Sequence, residues 1–164
     1  MSSRKSPSHY LEESPTSPGI GEILAPPGES QTQRPIGKKQ LRPIGHVRWA
    51  IAEGYIPSQS TGPEPEMTSH ETACLLNASD HEANVRITIF FSDREPVGPF
   101  HLKVPPRRTQ HVRFNDLTNP LEIPRDTDYS SLIESDVPIV VQHTRLDSRQ
   151  SANALISTIA FGEG

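Results

Sequence analysis

The sequence predicts an all-β fold, a multi-stranded antiparallel β-sandwich or barrel with about 8 strands, preceded by a disordered N-terminal tail. Three observations lead there. Short apolar runs alternate with polar residues from Val47 onward. Clusters of Pro, Gly, Asn and Asp separate those runs, which is how a multi-stranded sheet protein punctuates its turns. No segment sustains a helical period of useful length.

Residues 1–44 come first. They are rich in Ser, Pro, Gly and Glu, and their apolar residues are isolated. Such a stretch buries too little apolar surface to offset its ordering entropy. Pro7, Pro15, Pro18, Pro26, Pro27, Pro35 and Pro43 also interrupt any helix or central strand. Arg34-Pro35-Ile36-Gly37 recurs as Arg42-Pro43-Ile44-Gly45, which reads as a duplicated linker. The sandwich domain is expected over 45–164.

Within it, Val47–Glu53 is the first candidate strand. Alternation puts Trp49, Ile51 and Glu53 on one side and the small Ala50 and Ala52 on the other, where another chain or sheet can approach closely. Thr72–Asn77 follows, with Cys74 expected as an inert core residue. In Asn84–Phe91, Val85, Ile87, Ile89 and Phe91 share a core face, and Arg86, Thr88 and Phe90 share the other. Phe100–Val104 and Thr109–Phe114 come next; Val112 and Phe114 point inward, so His111 and Arg113 point together to the opposite side. Tyr129–Glu134 is a weaker element, a strand or a short helical turn. Ile139–Leu146 sorts into Val140, Gln142, Thr144, Leu146 and Val141, His143, Arg145. Asn153–Phe161 closes the set. The breaker-rich stretches Gly54–Pro65, Ser92–Pro99 and Asn115–Asp128 are long loops, where binding commonly resides.

Charge narrows the function classes. The formal net charge is −4. Residues 1–45 hold six basic and four acidic groups, a net of +2, which leaves −6 on the remainder. An acidic domain lacks the basic footprint that non-specific DNA binding needs. The single cysteine precludes an intramolecular disulfide and fits a reducing compartment. No signal-peptide pattern is present, and the longest aliphatic runs fall far short of the ~20 residues that cross a bilayer, so no membrane insertion is expected. Asn77-Ala78-Ser79 matches a glycosylation sequon, a triplet that also arises by chance.

The strand assignments propose a polar patch. If the strands are neighbours, Glu53, His111, Arg113, His143 and Arg145 converge, and Trp49 supplies either a stacking face or a core ring. Two guanidinium forks suit carboxylate, phosphate or sugar-hydroxyl recognition; the competing reading is an ordinary solvated sheet face. No catalytic constellation is expected. The seven histidines show no zinc or EF-hand spacing, and neighbours His70 and Glu71 point to opposite faces. Asp126-Thr127-Asp128 reads as a turn device rather than a hydrolytic pair. No metal, cofactor or catalytic residue is therefore expected.

Several longer motifs stand in order along the chain: Trp49-Ala-Ile-Ala-Glu-Gly-Tyr-Ile-Pro57, Gly62-Pro-Glu-Pro65, Ser69-His-Glu-Thr72, Glu95-Pro-Val-Gly-Pro99, His111-Val-Arg-Phe-Asn-Asp-Leu117 and Val137-Pro-Ile-Val-Val-Gln-His-Thr-Arg-Leu-Asp-Ser-Arg-Gln150. Together they resemble the soluble sensory rhodopsin transducer family across nearly all of residues 45–161. The resemblance implies a cytoplasmic jelly-roll sandwich similar to carbohydrate-binding modules, assembled as a homotetramer. It implies a non-enzymatic signal transducer, with the cytoplasmic face of a sensory rhodopsin or a sugar-like small molecule as partner. Two further readings accompany it: a carbohydrate-related metabolite-binding protein or enzyme using Glu53, Asp126 and Asp128, and a DNA-associated regulator using the basic tail. The N-terminal extension lies outside the family core.

Overall fold

A computed structural model describes residues 43–163; the tail expected over 1–44 lies, but for its last two residues, outside the described residues. Eight strands follow in order: β1 (His46–Tyr55), β2 (His70–Asn77), β3 (Ala83–Phe91), β4 (Val97–Val104), β5 (Arg108–Arg113), β6 (Asp128–Asp147), β7 (Ala154–Ile159) and β8 (Phe161–Glu163). One 3-10 turn, Phe114–Asp116, is the sole helical element among the described residues. Every strand pairing is antiparallel.

The hydrogen bonds form two ladders. One runs β4-β3-β6-β1-β8. The other places β2 between β5 and β6, with β7 on the far side of β6. β6 belongs to both, so the sheet is continuous and open while its two layers close on one core. Alternation supplies that core. Val85, Ile87, Ile89, Phe100 and Ile133 come from the first ladder, and Ala73, Leu75, Val112 and Val141 from the second. Burial of each large member removes it from water at a gain of about 1.5–3 kcal/mol.

Three sequence expectations change. Tyr129–Glu134 and Ile139–Leu146 are halves of the single 20-residue strand β6. Pro138 reads as a breaker, yet it falls between the last residue paired with β3, Ser135, and the first paired with β2, Val140. Its missing N–H therefore interrupts neither ladder. Cys74 is not a core residue. Ala73 and Leu75 take the inward positions, and Cys74 lies half-buried on the outer side, its Sγ 3.9 Å from Thr144 Oγ1. The Asn153–Phe161 run also divides, into β7 and β8, and Ala160 between them is buried.

Two glycines fix how β1 meets β6. Gly45 has φ +99°, and a Cβ there would lie 2.0 Å from the Ile139 carbonyl oxygen. Gly54 stands opposite Tyr129, whose ring occupies the space a side chain would need, 2.4 Å from the Cβ position. The Tyr129 ring is thereby free to lie across β1 and reach toward β2.

Candidate functional site

A fully buried carboxylate sits at one end of the sandwich. Glu71 on β2 is 0 % exposed. It shares its side of the strand with Ala73 and Leu75, the inward set. An isolated ion there would cost several kcal/mol. Its neighbours remove that cost. Tyr129 Oη donates to Glu71 Oε2 at 2.5 Å, Arg145 Nε donates to Oε1 at 2.6 Å, and the Tyr55 backbone N–H donates to Oε1 at 2.8 Å. Burial pushes the Glu71 carboxyl up, but the neighbouring His143 ring, donation from Tyr129 and the Tyr55 N–H, and the charge of Arg145 outweigh it and hold it below its ordinary value. Burial first, and then the Glu71 charge, push the Tyr129 phenol far up, so it stays protonated.

Arg145 continues the chain outward. Its Nη2 lies 2.6 Å from Glu71 Oε1 and 2.5 Å from Glu53 Oε1, as ion-pair contacts rather than aligned hydrogen bonds. Burial pulls the guanidinium down, and the two glutamates more than restore it, so it is held charged. Glu53 is exposed and belongs to β1 at a bulge between the Ile51–Ser131 and Gly54–Tyr129 pairs. That extra residue turns Glu53 away from the inward face occupied by Trp49 and Ile51. The result is a relay of touching polar groups from the surface at Glu53, through Arg145 and Glu71, to Tyr129 in the core.

A groove of about 400 Å³ opens beside the relay, between β1 and the β7–β8 junction. Ala50, Ala52 and Ala160 keep it open, Phe161 forms an apolar flank, and Glu53 and His143 supply its polar wall. His143 is 7 % exposed, and its Nε2 has no aligned hydrogen bond; Glu71 Oε2 lies 3.5 Å away. Chemically, the groove offers a carboxylate that contacts the half-buried Arg145 and an imidazole that lies beside Glu71. An occupant that engages Glu53 competes with Arg145 for it and so changes the balance around Glu71.

The six residues singled out from sequence separate into three groups. Glu53, His143 and Arg145 come together around Glu71. His111 and Arg113 do not join them. Ala73 pairs with His143 whereas Cys74 pairs with His111, so the two histidines project from opposite faces of the second ladder, and Arg113 shares the face of His111. Trp49 is buried in the core. Its indole N–H donates to the His46 and Ile139 carbonyls, each at 3.0 Å, and its ring meets His46 edge-on at 5.1 Å. That leaves no open face for stacking a ligand. Glu71 and Tyr129 were missed as site residues, although Glu71 stands at inward parity with Ala73 and Leu75 in β2, which marks a charge on the apolar side.

Other sequence features resolve locally. Asp126 Oδ1 accepts from the Ser58 N–H at 2.9 Å and from the Tyr55 hydroxyl at 3.1 Å, so it clamps two loops. Asn77, the sequon residue, is buried and its Nδ2 donates to the His81, Val104 and Pro105 carbonyls; the folded chain gives a glycosyl group no access to it. Among the described residues no three of His, Cys, Asp and Glu gather as a metal-binding set. Among them too, no helix is long and apolar enough to cross a membrane.

Fold and site together define a small all-β sandwich module with a polar groove backed by a buried charge relay. The family model described as Anabaena sensory rhodopsin transducer matches residues 44–162, and the chain belongs to that family. The solved structure of the Anabaena sensory rhodopsin transducer is 63% identical, covers 63% of this chain and 100% of its own, and superposes with a TM-score of 0.58. The crystal structure of Thermotoga maritima 1070 is 35% identical, covers 73% of this chain and 97% of its own, with a TM-score of 0.64. No curated protein matches the chain. Membership in this family supports a transducer-like role.

Proposed function

We propose that the chain is a non-enzymatic, cytoplasmic signal transducer that reads an occupant of the groove beside β1. That occupant is either a small sugar-like molecule or a segment of a receptor's cytoplasmic face, such as that of a sensory rhodopsin. The observation that carries the reading is the unbroken contact from Glu53 through Arg145 and Glu71 to Tyr129. Binding at the rim is thereby felt inside the core, where β1, β2 and β6 meet. Trp49 is omitted from the site because its ring is buried, and His111 and Arg113 because they face elsewhere.

A homotetramer is part of this proposal. β7 pairs with β6 on one side and has no strand on the other among the described residues. Leu155, Ile156 and Ile159 on it stand exposed, and Phe161 beside them is 74 % exposed. An apolar edge of this kind is normally covered, and closed rings of identical copies cover it.

Isothermal titration of the full chain against neutral sugars, nucleotides and a detergent-solubilised sensory rhodopsin tests the reading. One of these is expected to bind saturably, and Glu53→Ala to weaken it at least tenfold. Absence of saturable binding by all of them, or binding indifferent to Glu53→Ala, removes the groove from the transduction route.

A further inference from the structure

The outer face of the first ladder holds a second groove, of about 870 Å³, which shares no lining residue with the groove beside Glu53. A row of ionisable residues crosses it in register. His101 stands opposite Arg86, Arg86 opposite Glu134, Glu134 opposite Arg48, and Arg48 opposite Glu163. Residues directly opposite on antiparallel strands share a face, so these five side chains point the same way. Two residues along, Asn84 stands opposite Lys103.

The charges in this row do not close on themselves. Glu134 is shared, 3.8 Å from Arg48 and 3.2 Å from Arg86. Arg48 has a second carboxylate, Glu163, at 2.5 Å. Lys103 is held by Glu82 at 2.8 Å. Arg86 has only its part of Glu134. The other acid in the groove, Asp136, accepts the Asn84 backbone N–H at 2.8 Å and the Asn84 Nδ2 at 2.6 Å, and so is committed elsewhere. On its remaining side the residue opposite Arg86 is His101, not an acid. Of the five N–H donors a guanidinium carries, Arg86 uses one, and its side chain is 55 % exposed.

We propose that this groove binds a small hydroxylated carboxylate. An open guanidinium fork accepts a carboxylate bidentately. Glu134 and Asp136 flank the position, and their repulsion bears about twice as heavily on a dianionic phosphate as on a single carboxylate. The remaining lone pairs of Glu134 suit ligand hydroxyls. The volume lies within the range of metabolite sites. A carboxylate between Arg86 and His101 also supplies an acid to the one cross-strand pair in the row that lacks one.

Titration of the full chain with glucuronate, and with glucose as its uncharged counterpart, tests the assignment. Glucuronate is expected to give a saturable one-site isotherm, with glucose at least tenfold weaker. Arg86→Ala is expected to weaken glucuronate at least tenfold while the melting temperature stays put, because the side chain is exposed. Glu53→Ala is expected to leave glucuronate binding unchanged, which separates this site from the transduction groove whatever the fate of that groove. No saturable glucuronate binding, glucose binding as tight as glucuronate, unaltered binding by Arg86→Ala, or binding lost in Glu53→Ala each overturns the proposal.

Discussion

A single glutamate shows how far one residue departs from its strand's habit. Strand glutamates usually face water, and Glu71 faces the core because Tyr129, Arg145 and the Tyr55 N–H meet it there. Its carboxyl is held below the usual value of 4.5. A depressed folded value means that the ionised form stabilises the fold above about pH 4.5 and that this stabilisation drains away as pH falls through the folded value. Urea unfolding between pH 7 and pH 3 is therefore expected to show a declining acid limb that Glu71→Gln flattens. Glu71→Ala, which leaves Arg145 with Glu53 alone, is expected to cost roughly 3–5 kcal/mol by the same measurement. Trp49→Phe removes a donor that serves the buried Ile139 carbonyl and the half-buried His46 carbonyl and is expected to cost about 1–3 kcal/mol, read as a fall in the denaturant midpoint at constant slope. Much at this scale was legible: the inward set Val85, Ile87, Ile89 and the outward Arg86 follow from alternation alone.

Legibility changes at the level of the strand. Alternation states which side chains of one strand share a face, but not which face of the neighbouring strand they meet. That second fact is register, and it lies in pairings such as Ala73–His143 and Cys74–His111. The expected convergence of His111 and Arg113 with His143 and Arg145 failed for this reason alone. Pro138 lies inside β6 without ending it, since a proline ends a strand only where its N–H is needed. β7 is the element most exposed to experiment. Ile156→Glu with Ile159→Glu places charges on an apolar edge, and light scattering is expected to show the assembled species fall to a smaller mass while circular dichroism stays that of β-sheet. A double variant of unchanged mass takes that edge out of the assembly.

For the molecule as a whole, composition and turn chemistry sufficed for the class: eight antiparallel strands around one core is what short alternating runs and frequent breakers require. What composition could not disclose is that one strand serves both layers. Most sandwiches hold their sheets together through side chains, across a dry gap. Here backbone hydrogen bonds run from one sheet into the other along β6. Neither sheet can peel away without unzipping the strand that anchors the other, so the domain has no natural half. Native-state hydrogen exchange is expected to find the amides of Ile133 and Val141 released together, in one global opening, and not as two separately fraying units.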